Sequence, residues 1–440
     1  MPSAQVSHGR GAFRRDRRPR RAHTGRVTGT NWAGNLTYRA TVLHEPSSID
    51  ELVELVARTP RLRALGSRHS FNAIADTDAA QVSVGRLPVV VDVDETARTV
   101  TVSAGLRYGE LVERLDQQGW ALPNLASLPH ISVAGAVATG THGSGDRNGS
   151  LAAAVAAVQM VRPDGTLHEV RRGDADFEGS VVALGRLGVV TSLALDVVPA
   201  FEVRQDVFEH LPWAQVEEHF DEVTSAAYSV SMFTDWSETG PHQVWLKSRA
   251  DQQAAPTELF GATPAAEGVH PLPGISAEFT TQQLGRSGRW WDRLPHFRLG
   301  YTPSDGDELQ SEFLVPRAHA LEAIAAVRAL APQVQRLLLV SEIRTIAGDD
   351  LWLSPAHSTD CVALHFTWRL DVPAVTAFLP TLDDALAPFA ARPHWGKVFE
   401  TTPERLLAAY PRLPDFRDLV DKADPERKLA NELTESWLRP

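Results

Sequence analysis

Residues 123–150 read PNLASLPHISVAGAVATGTHGSGDRNGS, a stretch notably poor in bulky side chains within a chain of 440 residues. Gly135, Gly140, Gly143, Gly145 and Gly149 alternate there with small and hydroxyl-bearing residues, and scarcely a bulky side chain follows Ile131. Such a run lets a backbone approach a large ligand closely. It could also be an irregular surface loop. Against that, Val133, Ala134, Ala136, Val137 and Ala138 are too apolar, and loops this long without a function are uncommon. Upstream, Leu65-Gly66-Ser67-Arg68-His69-Ser70-Phe71-Asn72 follows strand-like residues 62–65 and groups a glycine, two serines and an asparagine around one histidine. Free backbone N–H groups in a loop of this kind can cradle phosphate oxygens. Taken alone, it reads more readily as a polar turn with a surface histidine.

Working outward, residues 38–200 alternate short β-type runs with helical segments. Residues 89–93 and 99–102 are β-branched and short, and Asp94–Arg98 joins them as a hairpin. Residues 48–56 predict a helix with Ser48 as N-cap and acids in its first turn, and residues 108–118 predict a second. The alternation resembles neither a doubly wound βαβ sheet nor a barrel. From 201 to 399 longer strands appear, notably residues 337–346 and 361–368, with an Ala-rich helix at 319–330. The segment 400–440 is helical and rich in loops. The predicted organisation is therefore a tail (1–30), a first domain (31–200), a second (201–399) and a C-terminal return (400–440).

Composition narrows the function. Hydrophobic residues make up 43% and charged residues 22%, ordinary for a globular protein, and the net charge of −12 argues against general nucleic-acid binding. Residues 1–26 hold eight arginines and one acid, so the remainder is more acidic still. No apolar stretch follows those arginines, so we expect a solvated basic tail and no export signal. The single cysteine, Cys361, excludes an intramolecular disulfide framework and a cysteine-based metal site. The G-x-G-x-x-G, P-loop, H-E-x-x-H and G-x-S-x-G motifs are absent; Gly143–Asn148 fails the first of them at its third glycine. A soluble cytoplasmic protein with no metal, no membrane span and no nucleic-acid partner is expected.

A third constellation lies in the second domain. In residues 338–344 the period-2 face runs Leu338, Val340, Glu342, Arg344; in 361–367 it runs Cys361, Ala363, His365, Thr367. Each face begins apolar or small and ends polar. Paired side by side, the strands would form a buried polar floor of Glu342, Arg344, His365 and Thr367. A Glu–Arg pair at a sheet edge with a satisfied core histidine is the plainer alternative. Lys397, one of four lysines against 39 arginines, favours the floor, because a compact ammonium stands where arginine is the habit.

Taken together, G-S-x-H-S and S-V-A-G-x-V-A-T-G-T-H-G resemble the vanillyl-alcohol-oxidase-type FAD family. Asn31–Asn35, Gly185–Thr191 and Arg392–Lys397 extend the likeness to its bacterial alditol oxidases, over roughly residues 30–435. The resemblance implies an α+β, two-domain fold: an FAD-binding domain and a substrate-binding cap domain with a large antiparallel sheet. It implies FAD joined covalently through His69, which requires a neutral, nucleophilic imidazole. Leu65, Gly66, Ser67, Arg68, Ser70 and Phe71 would surround the cofactor from the first loop. Ser127, Ser132, Gly135, Thr139, Gly140, Thr141 and His142 would do so from the second, and Val190 from a third turn. Asn431 would return to the flavin domain.

By the same resemblance the enzyme oxidises the terminal primary alcohol of alditols to the aldose and reduces dioxygen to hydrogen peroxide. Lys397 would stabilise the developing alkoxide, and His365 would orient the alcohol or accept its proton. Glu342, Arg344, Thr367 and Ser127 would bind further hydroxyls. Small-molecule polyol and dioxygen are the expected partners, and a monomer is the expected state. Two alternatives remain open: an aldonolactone-type dehydrogenase of the same fold using a non-oxygen acceptor, and a flavin-binding protein without catalysis.

Overall fold

The computed structural model describes residues 29–252, 255–300 and 307–439, so the expected basic tail lies outside the described residues except for its last two positions. Near the start, Val42–His44 and Leu62–Ala64 both pair in parallel with Ala80–Val82 between them. The helix Ile49–Arg58 connects the first two strands. Ser48 caps it by accepting from the Glu51 N–H at 3.1 Å, and Leu52, Leu55 and Val56 are its buried face. This is a βαβ unit, too small to be a doubly wound sheet.

A five-stranded antiparallel sheet follows, in the order Val91–Asp94, Thr99–Ser103, Val189–Asp196, Val155–Val161, Leu167–Arg171. The expected hairpin is its edge, although Val89 and Val90 are exposed coil ahead of it. The helix Tyr108–Gln117 covers the sheet, and the C-terminal helices Leu413–Ala423 and Glu432–Leu438 join the same core through Phe416, Leu419 and Trp437. The glycine-rich stretch holds a feature its composition hides. Val133–Ala138 is a short helix that begins after Ser132 and buries Val133, Ala136 and Val137. Gly140, at φ +67°, turns the chain out of it.

Trp120–Ala121 and Val198–Pro199 pair with each other, and the remaining strands build one nine-stranded antiparallel sheet. Its order is Thr263–Pro264, Glu202–Glu209, Gln243–Arg249, Ser229–Thr234, Leu338–Ile346, Cys361–Arg369, Glu308–Pro316, Arg392–Pro393, and Ser287–Arg289 also pairs with Glu202–Glu209. On one face the helices Ala320–Ala329 and Val372–Leu386 pack over Val230, Val244, Ile343, Leu364 and Phe366. The opposite face carries the alternate, largely polar residues. One element of the expected floor departs from its reading. The register shifts between Leu338 and Val340, and this bulge turns Leu338 into the helix-side core with Phe366 and Trp368. Among the described residues no helix is long and apolar enough to cross a membrane.

Residues near the C-terminus bond to the first half of the chain. The Asn431 amide donates to the carbonyls of Ala73 (2.9 Å), Ile74 (3.2 Å) and Asp76 (2.9 Å). Lys428 Nζ donates to those of Val56 (2.8 Å) and Pro163 (2.7 Å). The wholly buried Arg186 pairs with Glu435 at 2.6 Å. These bonds close the first half of the chain with its last residues.

Candidate active site

A cavity of about 800 Å³ runs between the glycine-rich loops and the polar face of the large sheet. Its first wall is the loop after Leu62–Ala64. Among the described residues, nothing accepts from the backbone N–H groups of Gly66, Ser67, Arg68, His69 or Ser70. Arg68 is left-handed at φ +67°, which helps curl successive amides into an anion-binding nest. His69 Nδ1 faces the Ser67 carbonyl oxygen at 2.9 Å, and Trp32 stacks on its ring with centroids 5.5 Å apart. Burial lowers its pKa to about 4, so the imidazole is neutral at ordinary pH.

The second wall is the helix Val133–Ala138 and its flanks. Ser132 N–H donates to Ser67 Oγ at 3.0 Å, tying the two loops together. Ser132 Oγ is itself buried and has no partner among the described residues. A Cβ on Gly66 would stand 2.8 Å from that oxygen, and one on Gly135 2.7 Å from it. A side chain at either position would therefore have to displace the Ser132 hydroxyl. Five unpaired amides, an orphaned hydroxyl and bare backbone on two facing loops are what a long phosphate-bearing cofactor needs, so these residues fit FAD.

The floor of the cavity is the sheet. Glu342 stands directly across from His365 in the register of Leu338–Ile346 and Cys361–Arg369, and Val340 stands across from Thr367. Glu308–Pro316 flanks the second strand, placing Glu312 beside His365 and Gln310 beside Thr367. Lys397 Nζ donates to Gln310 Oε1, and the His365 Nε2 lies 3.2 Å from the same oxygen. Since lysine can only donate, this fixes the Gln310 carbonyl toward the site, and the amide donates to Glu308 at 2.5 Å. Arg344 pairs with Glu312 at 2.6 Å and lies 3.6 Å from Glu342, while its other nitrogen reaches Ser127 Oγ at 3.4 Å.

Lys397 is held from two sides. The backbone N–H of Val398 donates to Gln310 and that of His394 to Glu312, both at 2.9 Å, so the Lys397 loop rides on the floor. From the cofactor side, the Asn72 amide donates to the carbonyls of Trp395 (2.9 Å) and Lys397 (2.7 Å). The lysine ammonium also sits 5.2 Å from the Phe71 ring centroid.

Electrostatics sort the floor into fixed charges and neutral histidines. Burial opposes ionisation of Glu342, but Arg344 and His296 outweigh it and hold the carboxyl well below the usual range. Glu312 is likewise held low, against burial, by His142 and Arg344. Burial, with Lys397 nearby, pulls His365 to about 3, so its ring is neutral. Burial lowers the Lys397 ammonium below the ordinary lysine value, with Glu312 opposing. Two carboxylates thus balance Arg344 and Lys397 over a neutral imidazole.

All the residues read from the sequence as cofactor- or substrate-binding line this cavity save one. Gly140 does not line it: it backs onto Pro355, whose ring would lie 2.9 Å from an added Cβ, and serves as the left-handed end of the helix. His142 reaches further than expected, its Nε2 lying 3.2 Å from Glu312, so it joins the second loop to the floor. Sequence reading missed Gln310, Glu312, His296 and His394, all of which line the cavity. Glu308, Gln310 and Glu312 carry the same alternation that marks Glu342 and Arg344, and that signal could have placed them.

Two facing loops built for FAD, set against a floor with an ammonium, a neutral histidine and hydrogen-bonding partners, define a flavin-dependent oxidoreductase. A family profile described as "FAD binding domain" matches residues 40–171, and one described as "D-arabinono-1,4-lactone oxidase" matches residues 307–438. An alditol oxidase of a Streptomyces species is 51% identical over 405 residues, covering 91% of this chain and 97% of that protein. The L-gulono-1,4-lactone dehydrogenase of Mycobacterium tuberculosis is 28% identical, covering 93% and 99%. The crystal structure of cholesterol oxidase from B. sterolicum superposes with a TM-score of 0.74 at 14% identity, over 93% of this chain and 96% of that one. The chain belongs to the alditol oxidase family of FAD-dependent oxidoreductases with the vanillyl-alcohol-oxidase-type fold.

Proposed function

We propose that this enzyme oxidises the terminal primary alcohol of alditols such as xylitol and sorbitol to the aldose, with dioxygen reduced to hydrogen peroxide. One observation carries the reading: His365, Gln310, Thr367, Glu342 and Arg344 on adjacent strands, with Lys397 on the loop against them, form a set of donors and acceptors matched to a chain of hydroxyls. The 51% identity to an alditol oxidase supports it. FAD, when bound, takes up the two electrons leaving the alcohol carbon and passes them to dioxygen.

The chain's own residues bind and move the proton. Lys397 Nζ donates to the reacting hydroxyl oxygen and strengthens that bond as the oxygen gains charge. His365 is neutral, and donation of its Nε2–H to Gln310 Oε1 leaves Nδ1 as the ring's basic nitrogen. Glu342 and Arg344, each fixed by a partner, take hydroxyls farther along the chain. A substrate lacking them excludes water from these buried groups without filling their remaining hydrogen-bonding positions, so simple alcohols are rejected. Supported by the same geometry, we assign residues 31–200 with 400–440 to cofactor binding, 201–399 to the cap and His69 to FAD attachment; a cytoplasmic monomer is proposed with it.

The lactone reading has two observations in its favour, the match of residues 307–438 to the lactone oxidase profile and the 28% identity to an L-gulono-1,4-lactone dehydrogenase. Anaerobic mixing separates the two. Xylitol or sorbitol should bleach the yellow enzyme rapidly, and ethanol and L-gulono-1,4-lactone should not. Bleaching by the lactone alone would replace the polyol assignment.

Dioxygen use has its own test. Ala126 lines the cavity beside Ser127 and is 9% exposed, so it stands where added bulk meets packed neighbours. Ala126→Val should slow reoxidation of the pre-reduced enzyme by roughly tenfold or more while changing anaerobic reduction much less. Wild-type reoxidation that takes minutes in aerated buffer, alongside fast turnover with a quinone, would make the enzyme a dehydrogenase.

A further inference from the structure

Lys247 takes no part in the scheme above, yet it is among the most deeply buried charges in the protein, at 1% exposure. It lies on Gln243–Arg249, two strands from Glu342 in the large sheet. No carboxylate among the described residues pairs with it directly. Its Nζ donates instead to the carbonyls of Leu294 and Pro295 (3.0 Å for the latter) and meets His296 Nδ1 at 3.0 Å. On the other side of that ring, His296 Nε2 meets Glu342 Oε1 at 2.7 Å. Phe233 and Trp245 hold the imidazole edge-on, with centroids 5.5 and 5.3 Å away. A buried ammonium without a counter-ion is costly and calls for a reason.

An ammonium has no lone pair, so the nitrogen facing it must accept. That leaves His296 one neutral form, with its proton on Nε2 and donated to Glu342. The other charged groups facing His296 are Glu342 and Arg344, both on Leu338–Ile346. Burial and Lys247 lower the His296 pKa to about 4, so the ring does not become a cation that would quench Glu342. Burial brings Lys247 itself down to about 7, so its charged form prevails at pH 6.

We propose that Lys247 is a positioning residue which, acting through His296, keeps Glu342 an ionised and oriented acceptor for the substrate's hydroxyls. This rests on the assignment of Glu342 to polyol binding. Without the ammonium, His296 is free to protonate beside Glu342. The carboxylate's charge is then neutralised by an imidazolium, and the polyol competes for it.

The test uses flavin-loaded enzyme with xylitol. At pH 6, Lys247→Met should raise KM roughly tenfold and change kcat by less than about threefold. The KM of this variant should climb further as pH falls toward 5, where that of the wild type stays flat. Glu342→Gln should raise KM by a similar factor, and adding Lys247→Met to it should cost little more, because both act on one group. His296→Gln offers a carbonyl to Lys247 and an N–H to Glu342 but cannot protonate. Its KM should lie nearer the wild type than that of Lys247→Met, with no acid limb, and this variant carries the test if Lys247→Met does not fold. An unchanged KM in Lys247→Met, independent effects in the double variant, or an acid limb in His296→Gln would each overturn the relay. An unchanged KM in Glu342→Gln would instead remove Glu342 from the substrate, and the relay with it.

Discussion

Lys397→Met should cut the rate of flavin reduction by polyol by roughly 30- to 1,000-fold while leaving the bound flavin in place. The substitution keeps an unbranched apolar stem out to Cε and removes the ammonium. The bonds that position this loop run from Asn72 to the backbone carbonyls of Trp395 and Lys397, so they survive. What disappears is a charge-assisted hydrogen bond to an oxygen that becomes negative in the transition state, worth about 2–4 kcal/mol in a water-poor site. The pH profile gives the sign. Burial lowers the Lys397 pKa, so wild-type reduction should slow as pH rises through that lowered value and the ammonium is lost. His365, held to about 3, remains neutral from pH 5 upward and adds no acid limb there. The alkaline fall should vanish in Lys397→Met. Stopped-flow reduction that is as fast as in the wild type would move the chemistry away from this floor.

His69→Ala should convert a flavin that survives acid precipitation into one that washes out. The wild-type pellet should stay yellow and the variant pellet should be colourless, with FAD in the supernatant. The motive is the site of the ring: neutral through burial, stacked by Trp32, and set within the row of unpaired amides. A neutral imidazole is the nucleophilic form, so the environment favours the bond. The variant should still fold, because the neighbouring residues are tied independently: Asn31 to the Ser70 carbonyl and the Phe71 N–H to that of Gly396. A colourless wild-type pellet would make the attachment non-covalent and leave the fold untouched.

How far these features could be read in the chain depends on the kind of signal each leaves. Glu342, Arg344, His365 and Thr367 were legible because strands alternate, and two polar residues at i and i+2 after small or apolar ones mark one face. Glu308, Gln310 and Glu312 have the same spacing, but alternating acids also describe a strand edge in water. Only pairing with Cys361–Arg369 brings Gln310 and Glu312 into the buried sheet, with Glu308 half-buried at its end. The Val133–Ala138 helix was hidden by composition: small residues read as loop until the buried positions of Val133, Ala136 and Val137 supply a face. Leu338 illustrates the limit of a strict period of two, since one bulge reverses the side on which a residue falls. Lys247 and His296 lie 49 residues apart, and no spacing rule joins them. Their meeting is a product of tertiary packing.

The Asn72 side chain has a bearing on how such enzymes can be rebuilt. One amide, a few residues from the expected point of flavin attachment, grips the backbone on either side of Gly396 and so carries Lys397 with it. Cofactor loop and Lys397 loop are thereby a single cassette, although 325 positions separate their residues in the chain. Exchange of specificity between relatives can treat the strands beneath as replaceable parts. A chimera whose junction parts Asn72 from residues 394–398 would inherit a coloured protein with its ammonium out of register.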